Sequence, residues 1–184
     1  MGNALSKIAA AILAVVLIFL FPAVQSAQRQ EDIRALAAYN TLVQFADAVR
    51  SKGYVSAEMY EDFTRELETT GGVYDIGLEH RHKKYHPEYE DPADPATFKD
   101  EFSVVYDSNY TASILQVLFP SSLPKGEAVI GRYDLAAGDY WSVTLNKVSR
   151  SPFEVLSGFV YGMVSTSGQI RQLSYGGMVL NEDY

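Results

Sequence analysis

The sequence predicts an α+β fold in which a long N-terminal helix packs on an antiparallel sheet. Three patterns predict it: 17 uncharged apolar residues at Ile8–Val24, helical periodicity over residues 30–52, and two-residue alternation from residue 74 onward. About 155 residues follow the apolar segment, which is the usual size of one domain. We therefore divide the chain into a membrane anchor or signal segment, residues 1–27, and a single extracytoplasmic domain, residues 28–184.

The apolar segment has the length of a short membrane-spanning helix and slightly exceeds the usual core of a secretory signal. Val24-Gln25-Ser26 offers a small-residue pattern for cleavage, shortly after Pro22. Two interpretations stay open: a single-pass anchor in the cytoplasmic membrane, or a cleaved signal that leaves the domain secreted or at the cell surface. The start, Met1–Ser6, also fits the N-myristoylation pattern, which an apolar segment makes unnecessary.

The next element is an amphipathic helix over residues 30–52. Apolar side chains recur at three- and four-residue steps, at Ile33, Leu36, Tyr39, Leu42, Val43, Ala46 and Val49. Acidic residues begin this segment and basic residues end it, as the helix dipole favours, and Gly53 suits a left-handed cap. If the apolar segment is uncut, Ile8 to Lys52 is one helix of about 67 Å, kinked near Pro22.

A second, short helix follows, capped by Ser56 and stopped by Gly71-Gly72. Its buried face is formed by Met59, Phe63 and Leu67. Alternation then predicts two antiparallel strands, near residues 74–79 and 102–107.

Further short elements are expected downstream. We predict helices at Ser113–Phe119 and Pro152–Gly162 and strands at Asp139–Val148 and Ile170–Leu180. Gly176-Gly177 in the last strand indicates a bulge, a kink or the close approach of another backbone, and a sheet edge there would be available to a neighbouring subunit.

An exposed acidic loop is predicted at His86–Thr97, because its three prolines disfavour both helix and strand. Its carboxylates are the ligand type that calcium prefers, but their order does not match a preformed calcium loop. A solvated loop is the favoured interpretation, and calcium binding is left open.

Charge and composition exclude several classes of function. The chain carries a net charge of −8, and because Lys7 is the only charge before residue 28, the domain carries −9. Such a domain is repelled by phosphate backbones, so nucleic acid is not an expected partner. There is no cysteine, which excludes disulfides, thiolate metal sites and a thiol nucleophile.

Three histidines are the candidate metal ligands. His80 and His82 lie two apart on a predicted strand and face the same side, and His86 follows closely. Three cations sit among them: Arg81, Lys83 and Lys84. Because those cations oppose a metal dication, we favour a structural or solvated role for the histidines and predict no metal, with His80, His82 and His86 kept as weak candidates.

Catalytic motifs are not found in the sequence. It contains no Gly-x-Ser-x-Gly elbow, no His-Glu-x-x-His motif and no phosphate-binding glycine loop. We therefore expect no enzymatic activity, no catalytic residues and no cofactor.

The layout and several short stretches resemble known proteins. An apolar helix broken by a proline and continuing into an amphipathic helix on a sheet resembles type IV pilins and pseudopilins. Residues 45–54 (FADAVRSKGY), 74–76, 78–80, 85–87 and the closing Gly-Gly-Met-Val also resemble a family of single-span proteins that accompany tight-adherence (Tad) and type IV pilus-like machinery in Gram-positive bacteria. The similarity covers most of the chain.

The resemblance implies a non-enzymatic minor pilin or pseudopilin-like component of a surface or secretion apparatus. Its implied partners are other pilin-like subunits or assembly-platform proteins, and the membrane through the N-terminal helix. The implied anchor and subunit-packing residues are Ala10, Ala14, Leu17 and Pro22, since small side chains let helices approach closely in lipid. The alternative is an exported monomeric domain that binds a metal ion or a small ligand.

Overall fold

The computed structural model describes residues 2–120, 131–149 and 172–181, together with the isolated helical positions 153 and 158. It confirms the predicted α+β class, with a long N-terminal helix, shorter helices and antiparallel sheets. In chain order the elements are α1 (Gly2–Lys52), β1 (Tyr54–Ser56), α2 (Ala57–Thr69), β2 (Tyr74–Tyr89), β3 (Phe98–Tyr110), α3 (Thr111–Leu118), β4 (Arg132–Asp134), β5 (Tyr140–Lys147) and β6 (Gln172–Met178). The predicted helix Pro152–Gly162 lies outside the described residues, apart from its two helical positions.

Helix α1 joins the apolar and amphipathic segments in one helix that runs through Pro22. All residues from 4 to 19 are exposed. The helix ends as predicted, with basic residues in its last turn and Gly53 in the left-handed region (φ 70°), where its N–H bonds the Val49 carbonyl at 2.9 Å.

The predicted buried face of α1 is right for its C-terminal part and wrong before it. Leu42, Ala46 and Val49 are fully buried, but Ile33 and Leu36 are 67% and 61% exposed. The side that meets the rest of the domain is formed by Ala38, Leu42, Phe45, Ala46 and Val49. Small alanines let this side approach closely, and Phe45 stacks on Phe63 of α2 with ring centroids 4.1 Å apart.

Helix α2 follows the prediction closely. Ser56 caps it by accepting the Met59 N–H at 3.2 Å, and Phe63 and Leu67 are buried on its inner face. Gly71 takes a positive φ of 76° just after the helix, which explains why the chain turns there.

In the described part of the chain, the main sheet has four antiparallel strands in the order β3-β2-β5-β6. Strand β2 pairs with β5 from Tyr74 to Arg81, and with β3 from Glu79 to Tyr89. The outer parts of β2 and β3 therefore form a two-stranded extension of the sheet, which we call the arm (residues 82–107). On the inner face, β2 and β5 bring Leu78, Trp141, Val143 and Leu145 into the core with α1, α2 and α3.

The predicted loop His86–Thr97 is wrong in its first part, because β2 continues through Pro87 to Tyr89. Among the described residues, β2 pairs only with β3 beyond Arg81, so one of its sides is an edge, which is the part of a sheet where a proline is tolerated. The register shifts between Pro87 and Tyr89, and the connection to β3 then contains a 3-10 turn at Pro95–Thr97.

The downstream predictions for α3, β5 and β6 are confirmed within one or two residues, and β1 and β4 form a small extra sheet that was not predicted. The two glycines of β6 mark a close approach, one of the predicted alternatives. A Cβ on Gly176 would lie 2.4 Å from the Trp141 carbonyl oxygen of β5, and one on Gly177 would meet the Arg50 guanidinium at 2.7 Å.

Candidate functional sites

The predicted anchor residues lie on the exposed part of α1. Ala10, Ala14, Leu17 and Pro22 are all exposed to the surroundings of the chain. By length and composition α1 can cross a membrane, and none of its most apolar 18 residues is buried against the domain. The helix is thus compatible with a membrane anchor or a signal sequence.

Beyond the apolar segment, α1 carries a second, separate pair of exposed apolar residues. Ile33 and Leu36 are exposed on the half of the helix that packs on the domain, after a mostly polar stretch at residues 25–32. Neighbouring exposed apolar side chains can form part of a contact surface.

A second candidate site joins two of the predicted histidines to an aspartate. His80 and His82 of β2 lie against Asp139, which directly precedes β5, and their ligand atoms all lie within 4.8 Å of one another. His80 Nε2 is 2.8 Å from Asp139 Oδ2, and His82 Nδ1 is 2.9 Å from Oδ1 and 3.0 Å from Oδ2. We call these three residues the His–Asp cluster.

The strand alternation and a tight turn build this cluster. Two-residue spacing places both imidazoles on the inner face of β2, next to Trp141. The turn before β5 is fixed by Gly138, whose φ of 90° suits glycine and whose N–H bonds the Val179 carbonyl at 2.9 Å. Asp139 is thereby held at the inner face, with its side chain only 2% exposed.

The carboxylate of Asp139 accepts hydrogen bonds from four groups. Besides the two imidazoles, the backbone N–H groups of Lys83 and Ala136 donate to it at 3.0 and 2.9 Å. Burial alone raises the pKa of this carboxyl, but the hydrogen bonds from His82, Lys83, His80 and Ala136 together outweigh burial and lower it below its usual value. Asp139 is therefore a buried anion near neutral pH.

Tyr133 completes the surroundings of the cluster. Its hydroxyl lies 2.8 Å from His80 Nδ1, so both ring nitrogens of His80 have a partner. Burial, and after it the charge of Asp139, raises the pKa of Tyr133, which keeps the hydroxyl protonated.

The cations that weighed against a metal do not all face the cluster. Arg81 and Lys83 alternate to the outer face, where Arg81 pairs with Glu79 at 2.8 Å and Lys83 Nζ lies 4.8 Å from the Tyr85 ring centroid. Lys84 shares the inner face but forms an ion pair with Asp107 on β3. These cations therefore repel a metal ion at the cluster less than their positions in the sequence indicate.

The other sequence candidates are not brought together. His86 is exposed on the arm, four residues from His82, which corresponds to about 13 Å along a strand. In the acidic loop, the Asp91 and Asp94 side chains accept backbone N–H groups two residues ahead, both at 2.9 Å. Those carboxylates hold local turns.

The sequence reasoning missed Asp139 and Tyr133. Asp139 is 59 positions from His80 and 57 from His82, so only the pairing of β5 with β2 brings it to them. The one local signal was an acidic residue directly after a glycine turn and before a strand, which is too common to single out.

No protein-family model, curated protein or solved structure matches this chain.

Proposed function

We propose that this chain is a structural or accessory subunit, minor pilin or pseudopilin-like, of a bacterial surface or secretion apparatus. The form of α1 carries the proposal. A single helix of 51 residues presents an apolar N-terminal half that is exposed and uses its C-terminal half to hold a four-stranded antiparallel sheet. The apolar half of such a helix can lie in a membrane and pack beside other helices. The other half carries the domain.

The exposed pair Ile33 and Leu36 supports helix packing beyond simple anchoring, because it lies outside the apolar segment. An anchor needs apolar residues only across the hydrocarbon core, about 20 residues. Neighbouring pilin-like helices, or the helices of assembly-platform proteins, would cover these two side chains and the small face at Ala10 and Ala14.

The small face of α1 can be tested directly. Replacing Ala10 and Ala14 by leucine keeps the segment apolar, so export and domain folding should persist. Association with other pilin-like subunits should weaken by roughly tenfold, about 1.4 kcal/mol, because the larger side chains separate the helices. In-cell crosslinking and co-purification measure this.

A matched control replaces Ile12 and Val16 by leucine. These positions lie about 200° around the helix from Ala10 and Ala14, so the small face stays intact and partner recovery should not change. A further variant, Ile33→Ser with Leu36→Ser, lies outside the apolar segment and should weaken association without affecting export. Unchanged recovery in both test variants would contradict the proposal.

The mature form decides between the two functions predicted from the sequence. Intact-mass measurement of the native protein should find the N-terminal segment retained. A mature protein that begins after Ser26 would lack the apolar half of α1 and its small face at Ala10 and Ala14, and the exported monomeric binding domain would then replace the subunit as the function.

A further inference from the structure

We propose that His80, His82 and Asp139 form a binding site for one divalent transition-metal ion of the Zn²⁺ type. The proposal is independent of assembly, because all three residues belong to the sheet and its turn. Two imidazoles and one carboxylate are a ligand set that zinc uses, with three protein ligands and a fourth position left for water or another molecule. Imidazole ligands disfavour Ca²⁺ and Mg²⁺, which take oxygen ligands.

The distances in the cluster are close to those that a metal needs. Ligand atoms about 2.0–2.1 Å from a tetrahedral ion are about 3.3 Å apart. The nitrogen to oxygen separations in the cluster are 2.8 and 2.9 Å. For an ion to replace the protons between them, the carboxylate and each imidazole have to part by about 0.4–0.5 Å. The two imidazole nitrogens, at most 4.8 Å apart, have to approach each other by up to about 1.5 Å.

The groups around the cluster can adapt when a metal ion replaces these protons. When His80 Nε2 binds a metal, its proton must sit on Nδ1, which then donates to Tyr133. The Tyr133 hydroxyl can fill both roles, since it can donate to a bare Nδ1 and accept from Nδ1–H. A carbonyl could only accept, and an ammonium group could only donate. His82 would bind through Nδ1 and carry its proton on Nε2, where its 40% exposed side chain allows water to accept. Each ligand would thus have the outer partner that holds a metal-bound imidazole in place.

Charge also favours a cation at this point. Asp139 is a buried carboxylate, and its partners are two imidazoles and two backbone N–H groups, which carry no full charge when the histidines are neutral. A buried charge is stabilised best by an opposite charge or a metal ion. The cations at 81 and 83 face the other side of the sheet, and Lys84 is paired with Asp107.

A metal at this position would join the root of the arm to the turn before β5. His82 lies at the first residue of the arm, and Asp139 belongs to the turn that Gly138 fixes to Val179. The ion would therefore hold the arm in one orientation relative to the core.

The test uses the full chain in mild detergent, without a histidine tag and after treatment with a chelator. Titration with Zn²⁺ by calorimetry should show one ion per chain with a micromolar or tighter Kd. Co²⁺ in its place should give the visible absorption of a tetrahedral nitrogen and oxygen site. The variant His82→Ala should weaken binding at least tenfold and remove the Co²⁺ spectrum, and its partly exposed side chain makes loss of the fold unexpected. Circular dichroism of the variant verifies this.

The matched control is His86→Ala, the exposed histidine of the same strand, which should bind Zn²⁺ as the unmodified chain does. Tyr133→Phe should weaken binding by roughly tenfold or more, since it removes the outer partner of His80. The proposal is overturned if the unmodified chain binds no Zn²⁺ at micromolar concentration, if His82→Ala binds as well as the unmodified chain, or if His86→Ala is equally impaired.

Discussion

Substitution of Asp139 by alanine should cause a large loss of stability in the metal-free protein. The carboxylate is buried and accepts from four donors. Its removal leaves the Nε2–H of buried His80 without an acceptor, together with the N–H groups of Lys83 and Ala136. His82 is partly exposed, so its donor regains water.

The size of the loss follows from those donors. A buried donor left without a partner costs about 1–3 kcal/mol, and breaking a buried charged network costs about 3–5 kcal/mol. The two backbone groups are only partly buried, so we expect a total of about 3–5 kcal/mol. At roughly 2–4 °C per kcal/mol for a domain of this size, Tm should fall by about 6–20 °C.

The chain contains its own probe for this measurement. Trp141 is its single tryptophan, is fully buried and pairs with His80 across β2 and β5. Thermal unfolding followed by its fluorescence, with a chelator present, reports on the core beside the cluster. The matched control is Asp107→Ala, which removes a carboxylate from an exposed ion pair with Lys84 and should leave Tm nearly unchanged. Equal shifts for the two variants would refute the reasoning.

Two further predictions concern the sheet and the core. Gly176→Ala should destabilise the fold by about 1–3 kcal/mol in chemical denaturation, because its Cβ would lie 2.4 Å from a backbone carbonyl oxygen of β5, whereas Gly77→Ala should be tolerated since its Cβ meets its nearest atom at 3.5 Å. Burial, and then the charge of Asp75, raises the pKa of Tyr60 above its usual 10.0, so the folded state holds this proton after the unfolded state has lost it. The resulting stability should be complete below about pH 10 and decline as pH rises above it. Tyr60→Phe should flatten this alkaline decline, and equal pH profiles of the variant and the unmodified chain would contradict the assignment.

The sequence predicted those elements correctly whose position depends on one local cause, such as strand alternation, a helix cap or a glycine turn. The alternation from Tyr74 fixed which face of β2 is buried, since a strand exposes every second side chain, and the Ser56 cap and Gly71 turn set the ends of α2. The prediction ends β2 too early, because a proline disfavours a strand except at an edge, and the pairing of β2 shows that Pro87 lies at an edge. Neighbouring strands, which a local pattern does not reveal, decide whether a proline fits.

The site was predicted only in part for a related reason. His80 and His82 could be placed on one face from their spacing, but their partners lie more than 50 positions away. Asp139 reaches them through the pairing of β5 with β2, and Tyr133 reaches His80 from β4. The same alternation that joined the histidines also sends Arg81 and Lys83 to the opposite face. The sequence therefore overstates the repulsion between these cations and a bound metal, because residues adjacent in the chain lie on opposite faces of the sheet.

The buried ion pair between Glu31 and Lys147 explains which side of α1 meets the sheet. Apolar residues occur on more than one side of this helix, so hydrophobic burial alone would permit a rotation about its axis that turns Ile33 and Leu36, about 200° and 140° around the helix from Glu31, toward the domain. Glu31 and Lys147 are 9% and 12% exposed, and such a rotation would separate the two buried charges. The pair thus favours the observed orientation, with Leu42 and Val49 in the core and Ile33 and Leu36 outside. Those two exposed residues are therefore a consequence of how α1 is held, and the same constraint keeps them available for a neighbouring helix.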